Sequence, residues 1–140
     1  MDWSYLIAMG KVTKIPVSSD LVEKEQNESE IDLAEAKKEL ESEGYKWAIV
    51  KAYYSMFHLA RALLYNKNYR EKSHHCLIIA LNAIYVETNE LSLLFLEGLK
   101  KGKNLRENAD YYDEWSLAGA NEMISLAEGF LGAVKKILKK

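Results

Sequence analysis

The densest run of reactive side chains is Tyr69-Arg70-Glu71-Lys72-Ser73-His74-His75. Two cations and two imidazoles stand there beside Ser73, a residue type that caps helices. If a helix begins at that serine, its free N–H groups and positive dipole end suit a phosphate. The plainer reading is a capped, solvated helix start that happens to carry two histidines. A second group is Arg106, Asp110 and Tyr111. It reads as part of an anion site, or as an arginine closing one helix and an aspartate opening the next element. A third is Tyr54, His58 and Arg61, in line with Trp47, which reads as a ligand or partner surface or as a polar pair satisfied inside an interface. Cys76 follows the two histidines and reads as a small buried apolar residue.

The candidates for catalysis are therefore His74, His75, Arg70, Arg106 and Tyr111. Those for ligand binding are Arg70, Lys72, Ser73, His74, Arg106, Asp110 and Tyr111. Those for an interface are Trp47, Tyr54, His58 and Arg61. No metal and no cofactor is expected: there is one cysteine, no His-x-x-x-His pair, no glycine-rich phosphate loop and no serine-centred elbow.

The elements that must position these residues are helical. The only proline is Pro16, so beyond it every residue can donate to a backbone ladder. Glycines number seven, and strand signals are nearly absent. Residues 1–18 are expected to form an extended or partly ordered arm ahead of one helical domain, 19–140. The first helix should start at Ser19-Asp20 and stop at Gly44. From Asp20 to Glu43 it carries ten acids and three lysines, which describes a solvated, one-sided helix. The second runs from Tyr45 to Asn66. Its stripe Tyr45, Ala48, Ile49, Ala52, Tyr53, Met56, Ala60, Leu63 faces a core, while Trp47, Val50, Tyr54, His58 and Arg61 ascend the other side and need a cover. A third is capped by Ser73 and ends near Thr88-Asn89. A fourth runs from Glu90 to Asn108, weakened by Gly98 and Gly102. The last has Leu117, Ala120, Ile124, Ala127, Leu131, Val134 and Leu138 in a 3–4 rhythm, the seam of an antiparallel bundle. The fold expected is an all-α, up-and-down bundle of four to five helices.

Composition narrows the setting. A chain of 140 residues with 19 basic and 21 acidic side chains is neither a polyanion coat nor a disordered acidic tail. Its longest apolar run, Cys76–Leu81, is far short of the roughly 20 residues that span a membrane. No membrane association and no signal peptide are expected, and the lone cysteine suits a reducing, cytoplasmic setting.

Several of these residues carry a family resemblance. Ala52-Tyr53-Tyr54-Ser55-Met56-Phe57-His58-Leu59-Ala60-Arg61-Ala62-Leu63-Leu64, then Tyr69-Arg70-Glu71-Lys72-Ser73-His74, resembles the HEPN family of prokaryotic helical proteins. So do Gly44-Tyr45-Lys46-Trp47-Ala48 and Leu105-Arg106-Glu107-Asn108-Ala109-Asp110-Tyr111, and the likeness covers roughly residues 10 to 138. It implies a helical homodimer, commonly encoded with a small nucleotidyltransferase as a toxin–antitoxin-like pair. It further implies nucleotide or RNA as ligand and, in some members, metal-independent RNA cleavage by an arginine followed after four to six residues by a histidine. A histidine near neutrality takes a proton from a ribose 2′-OH, and an arginine holds the charge on phosphorus. Here Arg106 is followed after four residues by Tyr111, and a phenol is a poor base at pH 7. Arg70 and His75 have the spacing at another place in the bundle. The expectation is a nucleotide- or RNA-phosphate-binding homodimer that partners a nucleotidyltransferase, with a metal-independent endoribonuclease as the alternative.

Overall fold

Helix α3, Tyr45–Asn66, is the axis of the fold because it is apolar almost all round. In the computed structural model, which describes residues 2–16 and 19–139, four further helices surround it. These are α2 (Ser19–Glu41), α4 (His74–Leu81), α5 (Leu93–Tyr111) and α6 (Leu117–Leu138). The all-α bundle expected from the sequence is the one observed. Helix α2 lies along α3, burying Leu33 and Ala36, and the hydroxyls of Ser29 and Ser55 meet between the two at 3.0 Å. The hairpin between them turns at Glu43, whose φ of 61° lies in the left-handed region.

Helix α6 packs on another side of α3 through Ala120, Met123, Ile124, Ala127, Phe130 and Val134. The seam differs from the expected one at its ends. Leu117 is exposed, while Met123 and Phe130 are fully buried. Helix α5 starts later than expected and runs on through Tyr111, burying Leu96 and leaving Leu94 exposed. Its glycines do not act as weak points. A Cβ on Gly102 would lie 2.7 Å from Met123 Cε and 3.0 Å from Met56 Cε, so the absent side chain lets α5 close on α3 and α6.

Two further departures concern the N-terminal segment and the end of α4. The segment expected as an arm contains helix α1 (Trp3–Ala8) and strand β1 (Val12–Lys14). Asp2 caps α1 by accepting from the Tyr5 N–H at 2.9 Å, and Leu6 is fully buried. Strand β1 pairs antiparallel with β2 (Tyr69–Glu71), placing Thr13 opposite Arg70. Each strand is three residues long, too short to leave an alternating pattern in a sequence. After α4 the chain makes a π-helical turn, Asn82–Val86, instead of continuing as an α-helix. Residues 17 and 18, at the end of the expected arm, lie outside the described residues. Among the described residues no helix is long and apolar enough to cross a membrane.

Candidate functional site

A cleft of about 460 Å³ opens between α3, the β2–α4 corner and α5. Helix α3 supplies its aromatic wall, with Tyr53 and Phe57 one turn apart and Tyr54 beside them. The corner supplies Arg70, Lys72, Ser73 and His74, and α5 supplies Lys103 and Arg106. The corner is held from outside: besides the β1–β2 ladder, the Lys72 N–H donates to the Lys11 carbonyl at 3.1 Å. Ser73 is the helix cap expected, its hydroxyl accepting from the Cys76 N–H at 3.2 Å, and Cys76 is buried.

His74 is the most constrained group in the cleft. Its Nδ1 is 2.9 Å from the Tyr53 hydroxyl, and its ring stacks on Phe57 at 6.1 Å and 11°. Burial first, then the nearby charge of Lys103, pushes the imidazole down to about 4, so it is neutral at pH 7. Nε2 is buried and has no partner among the described residues. Burial also pushes the Tyr53 phenol well above its ordinary value, against the pull of Arg106.

Arg106 lies between two rings, 5.4 Å from the centre of Tyr54 and 5.6 Å from that of Tyr111. Its Nη2 donates to the Tyr54 hydroxyl at 2.8 Å and stands 3.5 Å from Asp110 Oδ2. Its Nε is buried without a partner among the described residues. Lys103 reaches Glu107 one turn along α5 at 2.8 Å. Glu71 lines the cleft as well but is paired there with Arg61 Nε at 3.3 Å. Among the described residues that line the cleft, Arg61, Arg70, Lys72, Lys103 and Arg106 outnumber the one carboxylate, Glu71.

The structure gathers Arg70, Lys72, Ser73, His74 and Arg106 in one cleft. Asp110 and the exposed Tyr111 stand at its edge through their contacts with Arg106. His75 is exposed and does not line the cleft. The residues expected at an interface separate. Trp47 is exposed, with the Lys46 ammonium between its ring and that of Trp115. Tyr54 belongs to the cleft. His58 finds its partners within the chain, and so does Arg61, which also lines the cleft. His58 Nδ1 meets Glu25 at 2.5 Å and its Nε2 meets Asp32 at 3.4 Å. Arg61 is 3.5 Å from Glu25 and donates to the Tyr65 hydroxyl. The acidic face of α2 supplies both carboxylates, so a helix that reads as solvated closes over α3's polar line.

Sequence reasoning missed Tyr53, Phe57 and Lys103 as cleft residues. Lys103 stands three before Arg106, on the same helix face. Tyr53 and Phe57 fall on the aromatic side of α3, where periodicity does not separate a cleft wall from a core. His74 stands three positions after Glu71, a spacing also found in some metal-binding helices, but among the described residues no three His, Cys, Asp or Glu side chains are grouped to hold a metal ion.

Comparison with known proteins adds an independent observation. The family model described as the HEPN domain matches residues 22–137. A protein of Methanocaldococcus jannaschii named "Putative toxin MJ0605" is 34% identical over 113 residues, covering 80% of this chain and 84% of that one. A second protein of that organism, "Putative toxin MJ0142", is 32% identical over 99 residues, covering 69% of this chain and 67% of its own.

Proposed function

The chain belongs to the HEPN domain family, and on that footing we propose that it is a toxin-like protein that binds the phosphates of a nucleotide or of RNA in the α3–β2–α5 cleft. In this reading it acts as a homodimer in the cytoplasm and associates with a nucleotidyltransferase subunit. The toxin–antitoxin setting rests on the names its relatives carry and on the family resemblance. The binding reading rests on the cleft. One observation carries it: Arg70, Lys72, Lys103 and Arg106 converge on an aromatic wall, and Arg106 keeps a buried Nε–H without an acceptor. Phosphate oxygens accept from such donors in charge-assisted bonds.

The test is fluorescence anisotropy with a labelled single-stranded oligoribonucleotide in EDTA. Wild-type affinity should fall steeply as salt rises. The Lys72→Ala, Arg106→Ala double variant should bind at least about tenfold more weakly. Equal affinity in the two proteins, or no binding by the wild type, overturns the reading.

An enzyme reading is favoured by one observation, that His74 and Arg106 line the same cleft. His74 would take the 2′-OH proton and Arg106 would hold the charge on phosphorus. An imidazole that binds a proton only near pH 4 is a weak base, so the binding reading stands first.

A further inference from the structure

We propose that Tyr53 is a positioning residue that fixes the tautomer of His74, so that the imidazole offers Nε2–H to the anion in the cleft as a neutral hydrogen-bond donor. The inference rests on the phosphate-binding reading for its ligand, but not for the tautomer. A neutral imidazole has one donor nitrogen and one acceptor nitrogen, and a phenol has one donor and acceptor capacity.

Two arrangements satisfy the 2.9 Å contact between the Tyr53 hydroxyl and His74 Nδ1. If Nδ1–H donates, the phenolic hydrogen is left over and Nε2 is a buried acceptor without a partner among the described residues. If the phenol donates to Nδ1, Nε2 carries the left-over hydrogen and the phenolic oxygen keeps unused acceptor capacity. The two arrangements leave equal numbers of sites unmet, so the bond made between the rings decides. A phenol O–H is a more acidic donor than a neutral imidazole N–H, and an imidazole nitrogen is a more basic acceptor than a phenolic oxygen, which favours the second arrangement. It also gives the remaining group the polarity that an anion needs. Burial keeps the phenol protonated and the imidazole neutral, so neither charge state competes near pH 7.

Phe57 holds the ring plane by stacking, and Tyr53 fixes which edge carries the hydrogen. Nε2 is sheltered within the cleft wall. Lys103 is the cation whose charge acts most strongly on His74, and it is itself tied to Glu107. An anion in the cleft meets the Lys103 ammonium as a second donor, since both side chains line it. The role differs from that of a general base, which needs the lone pair on that same nitrogen.

Long-range ¹H–¹⁵N correlation spectra of the labelled full chain at pH 7 decide the tautomer, with His74 assigned by the signal lost in His74→Gln. The expected pattern is Nε2–H in the wild type, with Nε2 shifting when the oligoribonucleotide is added. Tyr53→Phe should give a mixture of tautomers and about tenfold weaker RNA binding, with its other ring signals unmoved. An Nδ1–H pattern in the wild type overturns the proposal without any variant. Unchanged tautomer and affinity in Tyr53→Phe also overturn it. An Nε2–H pattern in a wild type that does not bind RNA supports the tautomer and overturns the phosphate reading.

Discussion

Tyr53 Cδ1 lies 3.3 Å from the point where a Cβ would stand on Gly102, so the residue that orients His74 packs directly on the backbone of α5. Gly102→Ala would press its methyl on Met123, Met56 and Tyr53 together, and both methionines are fully buried. Overpacking of this kind costs about 1–3 kcal/mol, against about 1 kcal/mol gained in helix propensity. A net loss of stability in urea denaturation is expected. Gly132→Ala in α6 is the control: nothing lies within 4 Å of its Cβ, so the fold should gain about 0.5–1 kcal/mol. Equal effects at the two positions would show that α5 does not depend on that close approach.

Arg61 holds two carboxylates, Glu25 and Glu71, whose side chains are each 7% exposed. Arg61→Met keeps much of the volume and leaves both acids without their common cation. The expected loss is about 3 kcal/mol, as for other buried charges deprived of a partner. Denaturant titration checks it, and a loss below about 0.5 kcal/mol, the range of ordinary surface changes, would refute a buried role.

Stability should fall as the solution is acidified from pH 6.5 towards pH 4. Unfolded His74 takes up a proton near its ordinary 6.5, whereas in the fold burial and Lys103 delay that until about 4. The unfolded chain therefore holds more protons across that window. Glu25 adds to the loss at lower pH. Burial pushes it up, but the His58 hydrogen bond and the Arg61 charge outweigh that and hold it below the usual carboxylate value, so its contribution disappears as pH falls through that lowered pKa. Asp32 and Glu71, raised by burial, act in the opposite sense. Denaturation midpoints at pH 7 and pH 5 measure the slope, and His74→Gln should flatten it. A slope unchanged by that substitution would place its origin elsewhere.

Assembly is predicted to involve the aromatic end of the bundle. Trp47 is 49% exposed and Trp115 47%, with Lys46 between them. A twofold pairing through α3 would cover them. Light scattering should give a dimer at micromolar concentration, and Trp47→Glu should weaken it by tenfold or more, the order of about 2 kcal/mol expected for a central aromatic. A wild-type monomer at that concentration rules the pairing out.

Little or no RNA cleavage is expected. General-base catalysis contributes roughly 10²- to 10⁴-fold when the base is matched to the working pH. His74 is far from matched, and His75 does not line the cleft. Incubation with total RNA in EDTA, followed by assay for 2′,3′-cyclic phosphate ends, tests this. Cleavage that vanishes in His74→Ala would establish the enzyme reading.

Much of the fold was legible because its strongest signals are local. A single proline, the stop at Gly44, the Ser73 cap and the apolar girth of α3 each act within a few residues. The cleft was half legible. Arg70, Lys72, Ser73 and His74 are neighbours in sequence, and Arg106 joined them only through the resemblance. What stayed hidden depends on distant partners. His58 and Arg61 look uncovered until Glu25 and Asp32 arrive from another helix. Met123 and Phe130 become core because Gly102 lets α5 close on α6 and because Phe95 stacks on Phe130 at 5.4 Å. Strand β1 exists only by virtue of β2, some sixty residues on.

The π-helical turn Asn82–Val86 amounts to a splice in the winding of the chain. Its wider loop, closed by the Glu87 N–H on the Asn82 carbonyl at 2.8 Å, rotates the succeeding residues relative to α4. Tyr85 is carried inward by that rotation, and its hydroxyl donates to the Leu63 carbonyl at 2.6 Å. At the end of α3 the Lys67 N–H goes to the Leu64 carbonyl at 3.1 Å, which leaves Leu63 to be met from outside. The last turn of the central helix is thus sealed by a side chain from a different element. Removing one residue between Asn82 and Val86 would restore an ordinary α-helical winding, swing Tyr85 by about 100°, and unfasten the end of α3 without altering a single residue of α3 itself.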